Sequence, residues 1–249
     1  MTRLDAAADE LRAAADAAAL TGAGVSAPSG IPPFRGEDGI WSEYDPDAFD
    51  VRRFRAEPGP FWRDWLDLRA DLLAAEIEPN AAHEALADLA DAGHLDAVVT
   101  QNIDGLHREA GTDEVVRLHG DGTRAGCQNC GRTVPAQQVR ERAADGELPP
   151  RCEACEGLLK PDAVLFGERL PFEALTRAEA HVEDSDALLV AGSSLTVDPA
   201  ASLPRRAART GATVILVNLD ETPLDDRADY LFREDVTEVL PALRDAVLD

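Results

Sequence analysis

The chain has 249 residues, enough for one well-buried core with a small appended module but not for two full-sized domains. Its 48 acidic against 24 basic side chains give a net charge of −24, which repels nucleic acid and is tolerated best in molar salt, where the Debye length shrinks to about 3 Å; a halophilic source is the expectation. No run of about 18 apolar residues occurs, and the N-terminal stretch mixes Asp and Arg with Ala, so neither a membrane span nor a signal peptide is expected and the cytoplasm is the anticipated location.

In chain order, Thr2 offers a helix N-cap before an Ala, Leu, Asp and Arg mixture that runs to about Ala17. A short buried strand is expected just before Gly22, although its alanines are poor strand formers. The segment from Gly30 to about Glu78 reads as loop and then helix, and in the helical pattern at 60–76 Phe61, Trp65, Leu68 and Leu72 share one face. Further helices are expected at 80–92, 172–181, 199–209 and 236–247. Apolar, partly β-branched runs at 95–100, 115–118, 186–191 and 213–218 predict strands buried on both faces. This alternation indicates an α/β fold, a Rossmann-like parallel sheet with helices on both faces. Residues 1–30, 79–119 and 161–249 would form it. Residues 31–78 and 120–160 would form a smaller inserted module, the first a cofactor loop with a helical segment and the second a four-cysteine zinc ribbon.

All four cysteines fall in two C-x-x-C pairs, Cys127/Cys130 and Cys152/Cys155, separated by 21 residues. In an intracellular chain that pattern suits a tetrahedral four-thiolate zinc site. Four thiolates leave no open position for water, so one zinc ion would be structural. Gly22, Gly24 and Ala27 fit G-x-G-x-x-A, a turn that lets backbone amides approach a pyrophosphate. No acidic ribose partner follows about 20 residues later, which weakens a dehydrogenase reading. Gln101, Asn102 and Asp104 follow a strand, at the sheet edge where α/β folds bind ligands, and their side chains suit a carboxamide and ribose hydroxyls as well as a helix cap. His119 ends the next strand beside Gly120, in reach of a cleft and with a ring suited to proton transfer, or simply as a structural residue.

Taken together, residues 22–26, 30–35, 100–104 and 118–120, the cysteine pairs, residues 161–168, Gly192, Ser193, Ser194, and Val217 with Asn218 resemble the sirtuins, the NAD-dependent protein deacylases, in order and along nearly the whole chain. The resemblance implies that NAD is consumed as a co-substrate, with Gly22, Ala23, Gly24 and Ser26 at its phosphates and Phe34 and Arg35 on a cofactor loop. It implies Gln101, Asn102, Ile103 and Asp104 around nicotinamide and its ribose, and Gly192, Ser193, Ser194, Asn218, Leu219, Asp220 and Val236 at the adenosine half. His119 would be the general base, with Asn102 and Asp104 beside it as catalytic groups, and Val164, Phe166, Gly167 and Glu168 the segment along which an acyl-lysine protein or peptide lies as an added strand. Acetyl would pass to ADP-ribose with release of nicotinamide.

Two departures bear on detail. Pro33 stands where the family often has Asp or Thr. Trp62 and Trp65 are expected at the positions where succinyl-removing members carry Tyr and Arg, which favours acetyl or a longer neutral acyl group; packing of the helix explains both tryptophans equally well. Removal of charged acyl groups, mono-ADP-ribosyl transfer at the same site, and a non-enzymatic NAD- or peptide-binding module are the alternatives. No nucleic-acid or membrane partner is expected.

The charge carries its own prediction: the thermal midpoint rises between low and molar KCl as self-repulsion is screened. A scan by circular dichroism at several salt concentrations checks it, and a flat or falling midpoint contradicts it.

Overall fold

The computed structural model describes residues 2–34, 39–72 and 77–249. Its main sheet has six parallel strands, β1 (Ala17–Thr21), β2 (Ala97–Thr100), β3 (Val115–Arg117), β7 (Ala187–Ala191), β8 (Thr213–Val217) and β9 (Tyr230–Phe232), in the order β3-β2-β1-β7-β8-β9. A second, antiparallel sheet holds β4 (Gly120–Cys127), β5 (Thr133–Pro135) and β6 (Leu159–Ala163), in the order β5-β4-β6.

Strand periodicity explains the two-sided core. Ala17 and Ala19 of β1, with Leu189, Ile215 and Val217, pack beneath helices Arg3–Ala13, Ala81–Asp91 and Val236–Leu248. Ala18 and Leu20, with Leu188, Val190, Val214 and Leu216, pack beneath helices Phe172–Asp184 and Leu203–Thr210. Successive residues point to opposite faces, so a strand covered on both sides must be apolar throughout. This burial, with parallel partners on either side of β1, overrides the weak strand propensity of its alanines.

Helix starts follow their caps. Thr2 accepts from the Asp5 amide while the Asp5 carboxylate accepts from the Thr2 amide, and Asn80 accepts from the Ala82 amide. A third core joins helices Val51–Ala56 and Pro58–Leu72 to the second sheet: Phe49, Phe54, Phe61, Trp62 and Trp65 pack with Val139, Leu159 and Leu165. Helix Ala136–Ala144 and strands β4, β5, β6 and β9 went unread in the sequence. None of the described helices is long and apolar enough to cross a membrane.

Candidate active site

The strand order reverses between β1 and β7, and there the loops leaving the carboxyl ends of the strands diverge to open a crevice, the usual ligand position of open α/β sheets. Gly22 and Gly24 leave β1 while Gly192 leaves β7, and the turns touch through their backbones: the Gly24 amide donates to the Gly192 carbonyl at 2.8 Å. A Cβ on Gly22 would lie 2.7 Å from the Gly192 oxygen, and one on Gly192, itself at φ +60°, would lie 2.4 Å from the Val25 nitrogen. Only glycine permits this approach.

The cleft measures about 850 Å³. Of the residues the sequence singles out, Gly22, Ala23, Gly24, Phe34, Gln101, Asn102, Ile103, His119, Gly192, Ser193 and Ser194 line it, as do Val164, Phe166, Gly167, Glu168, Asn218, Leu219, Asp220 and Val236. Ser26 and Asp104 line an adjoining cavity of about 130 Å³ that shares Ala23, Phe34, Asn102 and Ile103 with the main cleft. Arg35 lies outside the described residues.

A buried polar network ties the two spaces together. The Asn102 Nδ2 donates to the Gly22 carbonyl and to Ser26 Oγ, both at 3.0 Å, so its two N–H groups are committed. Ser26 Oγ donates to Asp104 Oδ2 at 2.8 Å, and Asp104 Oδ1 accepts from the Leu106 amide at 3.0 Å. Behind them His83 Nδ1 accepts the Asn80 amide, which places the ring proton on Nε2, 3.3 Å from Ser26 Oγ. Burial drives His83 down from the ordinary 6.5 to about 4, so the ring is neutral at pH 7. His107, 4.9 Å away between ring centroids, is pushed down to about 3, chiefly by burial.

His119 is anchored differently. Its Nδ1 donates to the Gln101 carbonyl at 2.9 Å, which leaves the basic lone pair on Nε2. Gly120 follows at φ +82°, where a Cβ would collide with the Asp162 oxygen at 2.1 Å, so the turn that presents the histidine also requires glycine. Gln101 in turn donates from Nε2 to Ser193 Oγ at 2.8 Å, linking the ends of β2 and β7.

The cleft wall on helix Pro58–Leu72 corrects the expected tryptophan pair. Trp62 is turned away, its indole N–H donating to the Leu159 carbonyl at 2.9 Å within the third core. Trp65, Leu68 and Leu72 face the cleft instead. The pair three residues apart that meets the cleft is thus Trp65 and Leu68, one helical turn later than expected, because packing of Trp62 against β6 sets the rotation of the helix.

In the second sheet, the four cysteine sulfurs lie within 4.8 Å of one another, with Cys127 and Cys155 at 3.5 Å and Cys130 and Cys152 at 3.8 Å. Sulfurs about 2.3 Å from a tetrahedral zinc stand at such separations. The amides of Cys130 and Asn129 hold the Cys127 thiol below its usual range, and the Gly157 amide with the Asn129 side chain brings Cys155 down to about 6. A Cβ on Gly157 would sit 2.6 Å from Asn129 Cβ and 2.9 Å from Cys127 Sγ, so the backbone wraps the cluster. Four sulfurs at these separations, two of them drawn toward the thiolate, fit one structural zinc ion.

Comparison with known proteins agrees with this geometry. The sequence profile of the Sir2 family matches residues 22–199. The chain is 54% identical to an NAD-dependent protein deacetylase of Haloarcula marismortui, covering 96% of this chain and 93% of that one. The chain belongs to the Sir2 family. It is also 42% identical to NAD-dependent protein deacylase 2 of Archaeoglobus fulgidus, over 96% of each chain. A solved Sir2 complex with p53 peptide and NAD+ superposes with a TM-score of 0.85 at 37% identity, over 95% of each chain.

Within this Sir2 fold the sequence reading overlooked Asn80 and His83, whose spacing marks a helix start but gives no hint that the histidine reaches Ser26. It also missed Lys160, whose ammonium meets Glu168 at 2.8 Å beneath the cleft.

Two predictions follow from the geometry. Protein purified without chelator carries one zinc per chain by elemental analysis, and Cys152→Ser loses it; a metal-free wild-type protein with an unchanged melting midpoint would count against the site. The second concerns His83, whose folded pKa lies below its unfolded value. The unfolded chain takes up a proton that the folded one refuses, so stability is full above about pH 6.5 and declines toward pH 4, by roughly a few kcal/mol from this residue. Urea midpoints between pH 7 and 4.5 should fall less steeply for His83→Asn than for wild type.

Proposed function

We propose that the chain is an NAD-dependent protein lysine deacetylase that transfers the acetyl group to ADP-ribose and releases nicotinamide. The observation that carries this reading is the position of His119, a histidine lining the cleft with Nδ1 anchored to the Gln101 carbonyl, beside the glycine turns of the switch point. Membership of the Sir2 family supports it.

NAD supplies a ribose carbon made electrophilic by a departing nicotinamide. The Gly22, Ala23, Gly24 turn would receive its phosphates chiefly at the Ala23 amide, since the Gly22 and Gly24 amides already donate to Ala191 and Gly192 and glycine lets the backbone come close. Ser193, Ser194, Asn218, Leu219, Asp220 and Val236 would hold the adenosine half. Asn102 and Asp104, fixed by Ser26, would orient the ribose and the carboxamide at the mouth of the smaller cavity, with Ile103 and Phe34 closing it against water. His119 Nε2 would take the proton of a ribose hydroxyl, making it a nucleophile toward the bound acyl carbon. We likewise assign Arg35 to the cofactor loop, and Cys127, Cys130, Cys152 and Cys155 to a zinc ion that holds the second sheet and does no chemistry.

For the peptide, Val164, Phe166 and Gly167 offer an edge. The Val164 amide donates to the His119 carbonyl at 2.8 Å, and Phe166 bonds through both backbone groups to Phe49 and Val51, at 3.1 and 2.9 Å. The Val164 carbonyl and the Gly167 amide have no partner among the described residues. An extended peptide could pair with them, directing its acyl-lysine toward His119. The wall of Trp65, Leu68 and Leu72 offers no cation to an acidic acyl group, so acetyl and longer neutral acyl chains are favoured over succinyl. Four thiols kept available for metal accord with a reducing, cytoplasmic setting.

The test is mass spectrometry of an acetyl-lysine peptide incubated in molar salt, with and without NAD, beside His119→Ala. Loss of acetyl with formation of acetyl-ADP-ribose is expected only with NAD and only in wild type, at a rate exceeding that on a succinyl-lysine peptide. Retention of acetyl by protein that still binds NAD would reject the reading.

A further inference from the structure

The chain contains a single lysine, Lys160, among 24 basic residues, so arginine fills every other basic position. That lysine is nearly buried, with 12% of its side chain exposed, and lies in β6 below the segment proposed to receive the peptide. Its ammonium donates to the Ala163 carbonyl at 2.8 Å and to Glu168 Oε2 at 2.8 Å. The same Oε2 accepts the Leu165 amide at 2.8 Å, and the Glu168 amide donates back to the Leu165 carbonyl at 3.0 Å.

These four bonds close a bracket on residues 163–168. One residue of the bracket donates its amide to the His119 carbonyl and another pairs with the backbone of Phe49 and Val51, so its course sets the distance between the proposed peptide edge and the base. A compact ammonium with three rotatable donors can bond a carbonyl and a single carboxylate oxygen in a confined space, whereas a planar guanidinium fork demands a wider, two-oxygen partner. That requirement explains a lysine here in a chain that otherwise uses arginine. Glu168 is among the residues lining the cleft, but its carboxylate is committed to Lys160 and Leu165, so it works on the peptide through the backbone it holds.

We propose that Lys160 and Glu168 form a positioning pair for the acyl-lysine peptide: together they hold residues 163–168 in the extended course along which the substrate strand docks. This rests on the peptide-edge reading given above. Among the described residues the pair's side-chain bonds go only to each other, Ala163 and Leu165, so its loss acts on the peptide edge and leaves NAD recognition in place.

The experiment measures binding of a fluorescein-labelled acetyl-lysine peptide by anisotropy, together with steady-state KM and kcat for peptide and for NAD, on wild type, Lys160→Met, Glu168→Gln and the double variant. Lys160→Met should weaken peptide binding and raise peptide KM about tenfold, with KM for NAD within about twofold of wild type. Glu168→Gln should do the same to a smaller extent, and the double variant should be no worse than Lys160→Met because both changes break one bracket. Lys160→Arg keeps the charge but not the fit, and should recover only part of the peptide affinity. Unchanged peptide binding in Lys160→Met overturns the proposal, as does an equal rise in both KM values, which would mark general disruption of the cleft. A wild type that binds the peptide but does not deacetylate it would reject the reaction and leave the bracket to be judged on binding alone. A wild type that binds no acetyl-lysine peptide would reject the bracket and the peptide edge together.

Discussion

The contact of two backbone turns at the carboxyl ends of the paired strands β1 and β7 governs the rest of the cleft. The chain leaves β1 toward one edge of the sheet and β7 toward the other, so it does not fill the space above the ends of these two strands. Gly22, Gly24 and Gly192 bring the turns together to distances that a side chain would forbid. Backbone that close cannot be shifted by repacking a neighbour, so the polar groups leaning on it inherit its rigidity. Asn102 bonds the Gly22 carbonyl, and Gln101 reaches Ser193 beside Gly192. His119 is in turn fixed to the carbonyl of Gln101.

Legibility in the sequence followed burial. Strands β7 and β8 were evident because both of their faces are covered, and a run such as 187–191 has no room for a polar residue. The second sheet was hidden because its stability does not come from an apolar pattern. Strand β4 alternates glycine with polar residues and is held by pairing to β6 and by the cysteine cluster, which the spacing of the cysteines announced without announcing strands. Helix Ala136–Ala144 buries only Ala136, Val139 and Ala143, too sparse a stripe to stand out. The glycine turns, Asn102, Asp104 and His119 were recognisable as a set because they stand in the order in which the Sir2 family carries them, although each alone could serve a turn, a cap or packing. The tryptophan phase was not recognisable, since rotation of a helix is decided by what it packs against. Only the bond from Trp62 to Leu159 tells which side meets the cleft.

Two kinds of polar group serve the cleft, and burial separates them. Ser26, Asn102 and His83 are enclosed and fully directed, with proton positions dictated by an amide from Asn80 at one end and the Asp104 carboxylate at the other. A neutral His83 completes that chain; a protonated one would confront it with a second donor at Nδ1, where the Asn80 amide already points, and the low dielectric makes such a clash costly. Its depressed pKa is therefore a condition of the network's order as well as a result of burial.

His119 stands outside that enclosure and has the opposite requirement. In the role proposed for it, as a base, it must exchange its proton during each turnover while the ring keeps its orientation. The Gln101 carbonyl supplies that orientation by accepting from Nδ1. The enclosed histidine is held neutral to keep a constellation fixed, while the cleft histidine is oriented through one ring nitrogen by a carbonyl at the end of the neighbouring strand. The same residue type serves both ends because the backbone group opposite Nδ1, an amide at Asn80 and a carbonyl at Gln101, decides which ring nitrogen carries the proton.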